Sequence, residues 1–316
     1  MSTFSSFSTQ VPDLILANPT AGGGLGREAL PRLKAFALEK HWSAEFRTVE
    51  SAAEFAQIAR EEAAAGRERI FALGGDGTFQ ALLNAVAGHT HASIGVLPAG
   101  GGNDLAAALG LPLNPVRAAE MILTRGEAVA LDAARVRTAD GVERLYMGGG
   151  GVGLDAEAAR FASGVYRKMR GRSRYLLSAI RALGKFRGTY VRVSLAGSEQ
   201  TSLEGTALVL GVLNTPSYGG GLRLAPEANL EDGKLNLVLL ENLSVVEILK
   251  MLPRMAATGE IRTQRIQRHC VTRARIETER PCAFHADGEI VGMTPVEIEV
   301  VPQAMRVWRQ RPERAG

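Results

Sequence analysis

Residues Arg69-Ile70-Phe71-Ala72-Leu73-Gly74-Gly75-Asp76-Gly77-Thr78-Phe79-Gln80 constrain this chain more than any other stretch. Residues 70–73 form a short apolar run bounded by glycine, which predicts a buried strand. Residues 79–87 predict a helix, closed by Gly88 at a position where a C-terminal glycine is common. Three of the four residues Gly74, Gly75, Asp76 and Gly77 are glycine. Glycine costs backbone entropy, so some close approach must require it here. Successive N–H groups at a helix N-terminus bind phosphate. Asp76 would repel phosphate unless a cation lay between them, so the turn predicts a Mg²⁺-nucleotide. Read locally, the same residues also make a tight Asx-type turn.

A chain of 316 residues can bury a sizeable core, and two domains are expected. Hydrophobic content of 46% and charged content of 22% fit an ordinary soluble enzyme. No apolar run is long enough to span a bilayer. Residues 1–10 are Ser/Thr-rich, without the basic and apolar blocks of a signal peptide, and predict a disordered tail. Cys270 and Cys282 provide neither a disulfide framework nor a metal cluster, which fits a reducing cytoplasm.

The first half alternates strand and helix. Strand 13–17 runs into Asn18-Pro19-Thr20-Ala21-Gly22-Gly23-Gly24 and a helix over 27–39. Strand 45–48 ends at Thr48, and Ser51 with Glu54 forms a capping box for helix 52–65. Strand 93–97 leads into Pro98-Ala99-Gly100-Gly101-Gly102-Asn103-Asp104, then helices to 109 and over 115–124. The economical fold is α/β, with an N-terminal parallel-sheet nucleotide domain over 12–126. Its glycine loops all follow strands, so they share one sheet edge, where open α/β sheets bind ligands.

From residue 127 the alternation stops. Strand 128–136, a turn at Ala139-Asp140-Gly141 and strand 143–147 form a hairpin. Gly148-Gly149-Gly150-Gly151-Val152-Gly153 formally matches G-x-G-x-x-G. No acidic residue lies about 20 positions on, and a hairpin precedes it, against a dinucleotide site. Segments 191–195, 205–213, 234–240, 273–279, 283–287 and 296–301 read as strands, with helices over 175–183 and 245–257. Residues 127–310 therefore predict a β-rich domain, mainly antiparallel and sandwich-like, with a return of its C-terminal end to the first left open. A ligand site is expected in the cleft between the two.

Gly74-Gly75-Asp76-Gly77-Thr78 resembles the nucleotide motif of diacylglycerol and sphingosine kinases, of NAD kinases, and more loosely of phosphofructokinases. Asn18-Pro19-Thr20-Ala21-Gly22 and Leu97-Pro98-Ala99-Gly100-Gly101-Gly102-Asn103-Asp104-Leu105-Ala106 resemble the diacylglycerol kinase catalytic family. That family usually has threonine where this chain has Gly101. Further resemblances are Gly151, Gly153 and Asp155; Tyr218-Gly219-Gly220-Gly221; Asn229-Leu230-Glu231-Asp232-Gly233-Lys234-Leu235; and Asp287-Gly288-Glu289. The resemblance runs over roughly residues 13–308 and implies an ATP- and Mg²⁺-dependent kinase. Its substrate would be a diacylglycerol-like or sphingosine-like lipid.

It further implies a nucleotide site at Asn18, Pro19, Thr20, Ala21, Gly22, Thr48, Gly74, Gly75, Asp76, Gly77, Thr78, Gly100, Gly101, Asn103 and Asp104. A structural Mg²⁺ would sit at Asn229, Asp232 and Lys234, where the residues alone read equally as an Asp-Gly turn. Asp287 or Glu289 supplies the catalytic carboxylate, with Asp76 acting through Mg²⁺ and His285 as a third candidate. Alternatives are an NAD kinase-like enzyme, which lacks the second loop motif, and a catalytically silent lipid- or nucleotide-binding protein. No G-x-x-x-x-G-K-[ST] loop is present, which excludes the ordinary P-loop design.

Arg160, Arg167, Lys168, Arg170, Arg172, Arg174, Arg181, Lys185, Arg187 and Arg192 crowd one region, interleaved with Tyr166, Met169 and Tyr175. Arg262, Arg265, Arg268, Arg273 and Arg275 form a second. Such runs are usually a solvated face. A basic amphipathic stretch also suits an anionic membrane surface, where a lipid kinase meets its substrate. The expected partners are thus a lipid and a peripheral membrane contact from the cytoplasm. A homodimer stays open, and no nucleic-acid motif is present.

Overall fold

Apolar runs too short for helices build the first sheet of this protein. The computed structural model describes residues 11–154, 156–157, 181, 188–217, 219, 221–244, 247–248, 250–251, 258–261 and 263–312. Strands β1 (Asp13–Ala17), β3 (Arg69–Gly74) and β4 (Ser93–Pro98) are buried almost throughout. Such runs suit a parallel sheet covered on both faces. With β2 (Ala44–Thr48) they lie in the order β4-β3-β1-β2, all parallel.

Five helices pack on this sheet: α1 (Ala21–Glu39), α2 (Ala52–Ala64), α3 (Asp76–Val86), α4 (Asp104–Ala108) and α5 (Pro115–Arg125). The expected Ser51 cap forms, and Asn114 adds a second. Glu54 donates its N–H to Ser51 Oγ at 3.1 Å, and Asn114 Oδ1 accepts from Val116 and Arg117. Gly22, Gly23 and Gly24 have positive φ, so a loop persists before the regular part of α1. α3 begins at Asp76, three residues earlier than the glycines suggest, because Gly75 supplies an extended cap residue.

The second half contains β5 (Gly126–Thr138), β6 (Glu143–Tyr146), β7 (Gly149–Gly153), β8 (Thr189–Ala196), β9 (Ser202–Leu213) and β10 (Leu235–Glu241). It continues with β11 (Ile266–Val271), β12 (Arg273–Thr278), β13 (Ala283–Ala286), β14 (Glu289–Met293) and β15 (Val296–Gln310). Its pairings are antiparallel, as expected. β15 runs antiparallel to β5 and then pairs in parallel with β4 at Arg306↔Ser93 and Val307↔Ile94. The C-terminal end therefore does return, and one hydrogen-bonded sheet network runs through both halves. Met147, Met305 and Val307 join the core of Leu14 and Phe71, while Tyr146 and Phe284 belong to a second core.

Two strands escape the apolar pattern. β11 carries Gln267, Arg268 and His269, and β14 is a largely exposed edge. The glycine run after β6 is itself a strand, not a phosphate-binding turn. β7 is buried between β9 and β13, and a Cβ on Gly150 would lie 2.9 Å from the Phe284 ring. The helices expected over 175–183 and 245–257 lie largely outside the described residues, as do Asp155, Tyr218, Gly220 and most of the first basic cluster. Among the described residues no helix is long and apolar enough to cross a membrane.

Candidate active site

Parallel β1, β3 and β4 deliver their loops to one edge. Asn18 donates its N–H to Leu73 O at 3.0 Å, and Ala99 to Gly74 O at 2.7 Å. Gly75 and Gly100 touch backbone to backbone: a Cβ on Gly75 would lie 2.9 Å from Gly100 Cα. The glycines are needed for this approach. Asn18 Oδ1 accepts from the Thr20 N–H (3.1 Å) and hydroxyl (2.9 Å), while its Nδ2 donates to Thr78 Oγ1 at 3.3 Å. The residues from Asn18 to Gly22, Gly74 to Thr78, Gly100 and Gly101 thus converge. Gly101 is not among the described residues with left-handed backbone. Thr48 ends β2 at the same edge, opposite Ala17, with its side chain exposed.

Asp76 has backbone partners from the third glycine loop. Its carboxylate accepts from the N–H groups of Asn103 (3.0 Å), Asp104 (3.4 Å) and Leu105 (3.2 Å). It caps α4 and staples the second glycine loop to the third. Burial pushes its pKa up, and those N–H donors pull it back. Asn103 also turns inward. Its Oδ1 accepts from Gly100 N–H at 2.8 Å and its Nδ2 donates to Gly100 O at 3.0 Å. Asn103 and Asp104 therefore shape the loop with the groups expected to meet nucleotide.

Asp287 and Gly288 form the two-residue tip between β13 and β14, both with positive φ, as a type I′ hairpin requires. The carboxylate of Asp287 accepts from Met147 (3.2 Å), Gly148 (3.0 Å) and Gly149 (3.0 Å) N–H. The glycine run does cradle an anion, and the anion is Asp287. Burial raises the pKa of Asp287 to about 7, the negative charge of Asp76 adds to the rise, and the three N–H groups oppose it. Glu289 is exposed overall, yet its carboxyl reaches the start of α3: a Cβ on Gly77 would lie 3.1 Å from Glu289 Oε1. Burial raises its pKa and Arg144 lowers it. His285 is buried in β13, stacked near Phe284 with ring centroids 6.5 Å apart.

The family follows from two matches. Residues 12–136 match the model described as diacylglycerol kinase catalytic domain. Residues 149–309, just over half of the chain, match the YegS C-terminal NAD kinase beta sandwich-like domain. This chain belongs to the diacylglycerol kinase/YegS-like lipid kinase family. A protein named diacylglycerol kinase from Mycobacterium tuberculosis is 31% identical over 302 residues, covering 94% of each chain. Another of that name, from Bacillus subtilis, is 29% identical over 289 residues, covering 90% of this chain and 91% of its own. A crystal structure from Bacillus anthracis superposes with a TM-score of 0.75 at 21% identity, covering 96% of this chain and 98% of that one. At that identity the likeness speaks for the fold alone.

In this lipid kinase the candidate site draws residues from both matched regions. The glycine loops and Asp76 come from the first, and Asp287 and Glu289 from the second. Met147 and Gly148, which hold Asp287, lie at the junction. Three polar residues escaped the motif search: Gln80, Asn84 and Tyr146. Gln80 and Asn84 follow Asp76 at four-residue spacing on an otherwise apolar helix, a signal that could have found them. Tyr146 donates its hydroxyl to Val212 O at 3.1 Å, and burial holds its phenol neutral.

The second segment proposed for metal is folded locally. Glu231 N–H donates to Asn229 Oδ1 at 3.1 Å and Lys234 N–H to Asp232 Oδ1 at 3.0 Å, each closing an Asx turn. Among the described residues no group of three His, Cys, Asp or Glu side chains could hold a metal. The second basic group is neutralised in part: Arg265 pairs with Glu247, Arg273 with Glu299, and Arg275 with Glu277 and Glu297. A cavity of about 780 Å³ lined by Asp13, Trp42, Arg69 and Glu120 opens at the far ends of β1 and β3, away from this site.

Proposed function

We propose that this chain transfers the terminal phosphoryl group of ATP to the hydroxyl of a diacylglycerol-like or sphingosine-like lipid. The observation that carries the reading is Asp287. A buried carboxyl with a pKa of about 7 stands beside the converging glycine loops, in the range that suits a general base near neutral pH. Close backbone approach at Gly75 and Gly100 fits a phosphate chain, with Asn18, Gly22, Gly77 and Thr78 around it. Mg²⁺ would neutralise phosphate charge, and it commonly rides on substrate phosphates with one or two carboxylates, without an all-protein cage. Glu289, whose carboxyl reaches Gly77 at the start of α3, is placed for that duty.

Asp287 accepts the hydroxyl proton as the lipid oxygen bonds to phosphorus and the bond to the nucleotide breaks. The remaining catalysis is positioning. Docking on anionic membrane from the cytoplasm through the arginines between 160 and 192 would bring the lipid within reach. Asp287→Asn and Glu289→Gln should be assayed for turnover and nucleotide binding separately, with a diacylglycerol and sphingosine panel. The base variant should keep nucleotide affinity and lose turnover by about 10²–10⁴-fold. If both amides retain most of the rate, the proton acceptor lies elsewhere.

A further inference from the structure

Helix α3 reaches across to the second half through two carboxamides. Gln80 is buried, and its Nε2 donates to Ala286 O at 3.1 Å, the carbonyl just before Asp287. Asn84, one helical turn on, grips the backbone of Leu145 from both sides. Its Nδ2 donates to Leu145 O at 2.8 Å, and its Oδ1 accepts from Leu145 N–H at 2.9 Å. Leu145 lies two residues before Met147, whose N–H begins the cradle of Asp287. The backbone beside Asp287 and the segment that holds its carboxylate are therefore both anchored to α3. The same helix starts with Asp76 in the second glycine loop.

We infer that Gln80 and Asn84 are positioning residues that fix the catalytic hairpin against the phosphate loops. This rests on reading Asp287 as the proton acceptor. Helix spacing makes the pair rigid: residues 76, 80 and 84 share one face, so the distance from loop to hairpin is set by a hydrogen-bonded rod. Loosening either anchor leaves the glycine loops intact and misplaces Asp287, and small misplacements cost up to about 10² in rate. Releasing Leu145 also weakens the N–H donors that hold the carboxylate ionised. The charged and titratable groups that act on Asp287 are Asp76 from α3 and Tyr146 from β6, while Glu289, two residues on, interacts with Arg144. None of these is altered by the changes below.

Asn84→Ala and Gln80→Met are compared with wild type and Asp287→Asn on short-chain diacylglycerol across pH 5–9, with ATP affinity measured by titration. The expected result is kcat lower by about 10–100-fold, ATP affinity within about twofold of wild type, and a pH midpoint moved upward in Asn84→Ala. Wild-type kcat and midpoint in both variants, with Asp287→Asn inactive, would overturn the inference. So would a loss of ATP affinity in step with kcat, since the pair would then only support the nucleotide fold. Activity retained in Asp287→Asn removes the underlying reading instead. Thermal unfolding accompanies each variant; if Asn84→Ala does not fold, Gln80→Met, which fills the same space, decides alone.

Discussion

Asp287 carries opposing demands at the residue scale. In its proposed role as proton acceptor its carboxyl must be ionised, while burial and Asp76 favour the neutral form. The folded chain therefore binds a proton that the unfolded chain has already released above its ordinary value of 3.8. Stability from this group is fully present below that value and is lost as pH rises toward about 7. Asp287→Asn should flatten this part of the melting-temperature profile and melt above wild type at pH 8, although it is inactive. Equal slopes in the two proteins between pH 5 and 8 would show that the carboxyl titrates normally. The glycine contact makes a second residue-scale prediction. Gly75→Ala forces a methyl group against Gly100 Cα and should cost about 1–3 kcal/mol and weaken nucleotide binding. Gly205→Ala, where a Cβ meets nothing within 4 Å, is the control.

Among elements, β5 and β15 depend on one buried acid. Asp132 accepts from Gly233 N–H at 2.7 Å and from Gln303 N–H at 2.8 Å, and its own N–H donates to Leu230 O at 2.8 Å. It ties the 229–234 turn to the point where β15 breaks register between Val301 and Met305. Asp132→Ala removes the acceptor of both N–H groups and should cost about 0.5–1.5 kcal/mol for each in urea unfolding. Asp232→Ala, on the exposed side of the same turn, should stay within about 0.5 kcal/mol in the presence of chelator. Mg²⁺ that stabilises wild type but not Asp232→Ala would establish a structural metal at Asn229, Asp232 and Lys234.

For the whole molecule, the shared sheet matters more than the sequence pattern implies. β5 pairs with β15 over most of its length, and β15 then adds to β4. Residues from both ends of the chain fill the first core, including Leu14, Leu131 and Val307. The two halves should consequently unfold together, in one calorimetric transition whose van't Hoff and calorimetric enthalpies agree. Two resolved transitions would mean that the halves fold independently despite the common strands.

Local signals were legible wherever backbone geometry is set by neighbours in sequence. The apolar run into Gly74 and Gly75 and the Ser51 cap follow from side-chain size and capping chemistry. The parallel order of the loops followed from strand–helix alternation. Tertiary structure decided what each carboxylate faces. Asp76 and Asp287 are both filled by backbone N–H groups distant in sequence, at 103–105 and 147–149. No spacing rule encodes such partners, because they depend on how the halves pack. The glycines at 149–153 show the same limit. The missing acid and the preceding hairpin argue in sequence against a dinucleotide loop there, but only close packing against β9 and the Phe284 ring shows that these glycines form a strand. An acid's charge is thus set by burial and partners that only the folded chain assembles, while its place on a turn is set by the residues beside it.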